Sequence, residues 1–121
     1  MLTLPPSVRI FLTTAAVDLR RGHDGLAAVV LRQWGEALYE GHLFVFLGRR
    51  LDRCKVLFFD RGGLVLYYKR LKTGKFRMPP VSGDGTALEM DATGLAMLLD
   101  GIDVSRVRRP EPWRPRPRDR A

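Results

Sequence analysis

Thirty consecutive residues, His42 to Leu71, constrain the fold more than any other stretch of the chain. They read HLFVFLGRRLDRCKVLFFDRGGLVLYYKRL. Three segments, His42 to Leu47, Cys54 to Phe59 and Leu64 to Leu71, are rich in Val, Phe, Tyr and Leu. These types suit a pleated, half-buried surface. The connectors are short: Gly48 to Arg53, then Asp60-Arg61-Gly62-Gly63. Gly62-Gly63 can supply the positive φ of a tight hairpin turn. The pattern predicts an antiparallel three-stranded meander.

The flanking segments add one strand and one helix on each side. VRIFLT (Val8 to Thr13) alternates as a strand, with Arg9, Phe11 and Thr13 on one face and Val8, Ile10 and Leu12 on the other. Leu26, Val29, Val30, Gln33 and Trp34 recur at helical spacing, predicting a helix from about Gly25 to Trp34, with Asp24 as its N-cap and Gly35 ending it. Lys72-Thr73-Gly74-Lys75 reads as a turn, Phe76 to Met78 as a short extension stopped by Pro79-Pro80, and VSGDG as loop. TALEM (Thr86 to Met90) is a final edge strand, and Asp91 caps a helix through Leu99 that Gly101 closes. The segment from Val104 onward holds four prolines, seven arginines and Trp113, and cannot build a core. The expectation is an α+β domain over residues 1–103, a small mostly antiparallel sheet with two helices, followed by a disordered basic tail over 104–121.

Charge decides which functions to weigh. The net charge is +8, but its placement matters more than its sum. Residues 1–48 are neutral overall, 49–77 carry +8, 78–103 carry −5 and 104–121 carry +5. A basic middle and a basic tail around an acidic segment point to a polyanion, nucleic acid first. Arginine outnumbers lysine 17 to 4. A GC-rich genome alone can produce that bias, but arginine's planar fork also suits phosphate. The candidate nucleic-acid-binding residues are Arg49, Arg50 and Arg53 in the first connector and Lys55, Lys69, Arg70, Lys72, Lys75 and Arg77 on the later strands and turn. The competing explanation is a solvated sheet end with aromatics in the core.

Other chemistry has little footing. A single cysteine, Cys54, rules out an internal disulfide and reads as a small buried hydrophobe. His23 and His42 have no ligand spacing around them, and no phosphate-binding glycine loop is present. Asp18, Asp24 and Asp60 form a conceivable nuclease set, but each has a simpler role: pairing with Arg20-Arg21, capping, and starting a turn. No catalytic residue, metal or cofactor is expected. No run reaches the roughly 18 apolar residues that span a bilayer. The start, MLTLPPSVRI, lacks signal-peptide features, so the expectation is a cytoplasmic protein with no membrane partner.

Five blocks stand in order: DLRRGHDGLA (Asp18 to Ala27), GHLFVFLGRR (Gly41 to Arg50), KVLFFDRGGLVLYYKRL (Lys55 to Leu71), GKF (Gly74 to Phe76) and LAMLLDGID (Leu95 to Asp103). Together they resemble the TnpB accessory protein of insertion-sequence family sixty-six, over roughly Leu4 to Asp103. This family is unrelated to the RNA-guided nuclease of the same name. His23 stands where that family commonly has an aromatic residue, and Phe58-Phe59 where it commonly has tryptophans; these departures keep ring character. The resemblance implies a non-catalytic role in DNA transposition beside a separately encoded transposase. It carries over no catalytic residue. DNA and the transposase are the expected partners, with the oligomeric state open. The alternative is a protein-interaction module that recruits the transposase through the acidic segment Asp84 to Asp103.

Overall fold

The computed structural model describes residues 7–13, 17–77 and 87–101. Its elements in chain order are β1 (Ile10–Thr13), α1 (His23–Trp34), a 3-10 helix (Gly35–Glu40), β2 (Leu43–Leu47), β3 (Arg53–Asp60), β4 (Gly63–Arg70), β5 (Ala87–Met90) and α2 (Ala92–Leu99). The five strands form one sheet in the order β4-β3-β2-β1-β5. β2, β3 and β4 are the expected antiparallel meander. β5 pairs antiparallel with β1 at the far edge, while β1 and β2 run parallel. The parallel pair needs a crossover, and α1 with the 3-10 helix supplies it.

β2 shows why the sheet sits where it does. All five of its residues, LFVFL, are buried. A strand covered on both faces reads as an unbroken apolar run rather than an alternating one. On one face, Phe44 and Phe46 pack with Leu57 and with Leu26, Ala27 and Val30 of α1. Phe44 lies 5.7 Å from Phe11 and 5.1 Å from Trp34, ring centre to ring centre. On the other face, Leu43, Val45 and Leu47 pack with Ile10, Leu12, Cys54, Val56 and with Leu95 and Leu98 of α2. Each large side chain buried this way contributes roughly 1.5–3 kcal/mol. The small Cys54 side chain shares this core, fully buried, with its thiol pushed up to about 12 by that burial.

The boundary residues both met and departed from expectation. Asp91 caps α2 as anticipated, its side chain accepting from the Gly94 N–H at 2.7 Å. Asp24 does not cap α1. The helix starts at His23, with Gly22 extended at the N-cap and no side-chain cap bond. Asp24 instead sits in the first turn, where a carboxylate still favours the positive helix end. In the β3–β4 hairpin the two positive-φ positions are Arg61 (47°) and Gly62 (84°), not Gly62 and Gly63. Asp60 pairs with Gly63, so the loop is the two-residue kind with positive φ at both centres. Phe76 and Arg77 form no strand. Met78, the prolines after it, the VSGDG loop and the tail with Trp113 lie outside the described residues.

Candidate nucleic-acid interface

The C-terminal end of β2, the N-terminal end of β3 and the C-terminal end of β4 meet at one end of the sheet. That end carries most of the candidate cations. Arg49 and Arg50 occupy the β2–β3 loop and are exposed. The loop is braced on several sides. The Gly48 N–H donates to the Arg53 carbonyl at 3.1 Å, Leu51 N–H to Gly48 at 2.9 Å, and Phe76 N–H to Leu51 at 2.6 Å. Leu51 has a φ of 60°, an uncommon value for a bulky residue. Its side chain packs against the α2-side core, which helps hold that conformation. Leu51 is thereby turned inward while Arg49 and Arg50 stay in solvent.

The segment after β4 returns to the same end. Phe76 is fully buried in the α2-side core and ties residues 72–77 against the Leu51 loop. Lys72, Lys75 and Arg77 are exposed around that anchor. Arg53 and Arg70 are register partners across β3 and β4. Residues directly opposite in an antiparallel pair share a face, and like charges there repel. Among the described residues none of Arg49, Arg50, Arg53, Arg70, Lys72, Lys75 or Arg77 forms a salt bridge. Two arginines elsewhere do find carboxylates. Arg9 forks onto Glu89 with two bonds of 2.8 Å, which lowers the Glu89 pKa and raises that of Arg9. Arg20 chelates Asp18, whose carboxyl falls to about 2 through that hydrogen bonding.

Two of the candidate residues do not present their charge at this end. Lys55 is 7% exposed, and its Nζ donates to the Arg21 carbonyl at 2.9 Å while lying 4.8 Å from the Tyr68 ring centre. Lys69 lies on the opposite face, opposite Cys54, and its Nζ donates to the Leu99 carbonyl at 2.6 Å. It therefore binds the C-terminal end of α2, where a cation suits the helix dipole. Both lysines brace the fold. Strand alternation alone does not reveal this, because the partners are backbone carbonyls more than 25 residues away.

One further arginine, outside the predicted set, lies near this end. An open groove of roughly 630 Å³ runs between residues 17–20 and the Gly48–Arg53 loop. Arg20, Arg49, Arg50 and Arg53 line it, with Asp18 and Asp52 as its two acidic groups. Arg20 reaches this end of the sheet only through tertiary approach, and Asp18 meets its charge there.

The alternative chemistries are poorly served. Asp18 lies by the groove, and Asp60 lies at the opposite end of β3 from it, so the conceivable acidic set does not converge. Among the described residues no group of three or more His, Cys, Asp or Glu is placed to hold a metal ion. His42 accepts the Arg9 N–H on Nδ1 at 2.9 Å and meets Glu40 through Nε2 at 3.1 Å, tying β1 to the start of β2. In the acidic segment, Glu89 is paired with Arg9 and Asp91 caps α2, while Asp84 and Asp103 lie outside the described residues. No helix among the described residues is long and apolar enough to cross a membrane.

Comparison with known proteins places this geometry in context. The family described as IS66 Orf2 like protein matches residues 8–109. Uncharacterized protein y4jC of Sinorhizobium fredii is 42% identical over 112 residues, covering 89% of this chain and 91% of that protein. Uncharacterized protein y4hO of the same organism is 38% identical over 115 residues, covering 95% and 96%. No solved structure matches significantly.

Proposed function

This chain belongs to the IS66 Orf2-like family of insertion-sequence transposition accessories, and from that premise we propose that it is a non-catalytic accessory that binds DNA through the basic end of its sheet. The cations that act are Arg49, Arg50, Arg53 and Arg70, with Lys72, Lys75 and Arg77 beside them; Arg20, across the groove, is already held by Asp18. The observation that carries this reading is the facing pair Arg53 and Arg70, set next to the Arg49–Arg50 loop with no described carboxylate bridging them. Like charges held opposite one another repel unless an anion lies between them. Backbone phosphates are such anions, and arginine binds them with two parallel bonds. Contacts of this kind position a protein on DNA without selecting sequence. The catalytic transposase, encoded separately, is the second partner, and it supplies the chemistry.

Fluorescence anisotropy with a labelled duplex tests this directly. The full chain should bind, and Arg49→Glu/Arg50→Glu should weaken binding at least tenfold with an unchanged melting curve, since both side chains are in solvent. In cells, transposition should fail when Arg49, Arg50, Arg53 and Arg70 are changed to Glu. Lys69 is unsuited to that set because it braces α2. A double variant that binds as well as the parent overturns the proposal.

A further inference from the structure

β4 closes one side of the sheet, and among the described residues its outer edge has no strand beside it. An edge strand offers a row of unpaired N–H and C=O groups to any other strand. Proteins usually blunt such edges with shortness, proline, bulges or charge. β4 has eight residues and no proline, and it pairs one-to-one with β3 from Arg53–Arg70 to Asp60–Gly63 without a bulge. Its charges, Lys69 and Arg70, stand together at one end, leaving Leu64 to Tyr68 uncharged. Val65, Tyr67 and Tyr68 are 38%, 45% and 48% exposed, three of the five large hydrophobic residues left exposed among those described. These are residue types that favour strand pairing.

We propose that a second copy of this chain pairs antiparallel along β4, about a two-fold axis through Leu66, joining two five-stranded sheets into one of ten. The strand is self-complementary in that register. Directly opposed residues in an antiparallel pair share a face. Tyr67 then meets Val65 of the partner subunit, and Tyr68 meets Leu64 of the partner subunit. Lys69 and Arg70 fall opposite Gly63 and Gly62 of the partner subunit, so no cation faces another. Parallel pairing would instead set Lys69 against Lys69 of the partner subunit and Arg70 against Arg70 of the partner subunit. Charge therefore selects the antiparallel arrangement, and the five uncharged residues pair wholly among themselves only with Leu66 on the axis.

One consequence rests on the DNA-binding reading above. At about 3.3 Å per residue, the two Arg70 positions lie about 26 Å apart along the joined strands, with the Arg49–Arg50 loops further out. That separation approaches the ~34 Å of one duplex turn, so one dimer offers two basic ends to one DNA.

Sedimentation velocity on the full chain is the test. A species of twice the 13.7 kDa chain mass is expected, forming with rising concentration. Val65→Lys/Tyr67→Lys should weaken self-association at least tenfold without changing the circular dichroism melt, because both side chains are exposed in the single chain. Under mild oxidation Leu66→Cys should give a covalent dimer and Tyr68→Cys should not, with buried Cys54 a silent background. A chain that stays monomeric at every concentration overturns the proposal. So does a dimer insensitive to the two lysines, or one that cross-links at position 68 rather than 66. A monomer that still binds DNA removes the dimer alone; a dimer that binds no DNA removes only the DNA-binding reading.

Discussion

Replacing Lys55 with methionine separates bracing from DNA contact. Lys55 is 7% exposed, and its ammonium donates to the Arg21 carbonyl at 2.9 Å and lies 4.8 Å from the Tyr68 ring centre. A hydrogen bond from a charged donor is worth about 1.5–3 kcal/mol, and a cation over a half-exposed ring about 0.5–1 kcal/mol. Methionine keeps the packing of the stem and escapes the cost of holding a charge away from water. The net expected loss is about 1–2 kcal/mol. Urea unfolding reads it: with a slope of about 1–3 kcal/mol/M, the midpoint should fall by roughly 0.5–1 M. DNA affinity at fixed salt should change less than about twofold, because this charge does not reach the proposed interface. The opposite pattern, unchanged stability with weakened DNA binding, would refute the assignment of Lys55 as a brace.

Three further changes test local features. Asp91→Ala removes the cap bond to Gly94 and should cost about 1 kcal/mol of stability in the same urea experiment. Arg61→Asn places a residue tolerant of positive φ at the 47° position and should stabilise the hairpin by about 0.5 kcal/mol, read as a melting temperature higher by roughly 2 °C. Burial pushes the Cys54 thiol up to about 12, above its unfolded value, so its contribution to stability is complete below the unfolded pKa of about 8.5 and is lost as pH rises through that value towards 12. A thiol reagent at pH 8 should therefore leave the folded chain unmodified and react on addition of denaturant.

The meander, the two helices and the final edge strand were legible because their signals are local. Apolar runs of strand length, the Gly at position 35 and the Asp91 cap each act within a few residues. What was not legible depends on approach through space. The parallel pairing of β1 with β2 comes from a crossover that contains a 3-10 helix, and GEALYE carries no strong periodic mark of one. The same limit divides the candidate site. Arg49, Arg50, Arg53, Arg70, Lys72, Lys75 and Arg77 share an end because the strand ends do, and strand order implies that much. Lys55 and Lys69 look alike in sequence but find carbonyls on residues 21 and 99, on opposite faces of the sheet. Arg20 reaches the groove from a segment that strand alternation does not place.

The central claim is that cations left unpaired at one end of the sheet meet DNA phosphates, and the salt dependence of binding measures this most directly. Each phosphate neutralised adds about 0.9 to the slope of log affinity against log salt. Arg49→Ala/Arg50→Ala should therefore flatten the slope by about 1.8 relative to the parent chain, while Lys69→Met leaves it unchanged. Equal slopes for the parent and the double-arginine variant, or parent binding that ignores salt, would contradict the account.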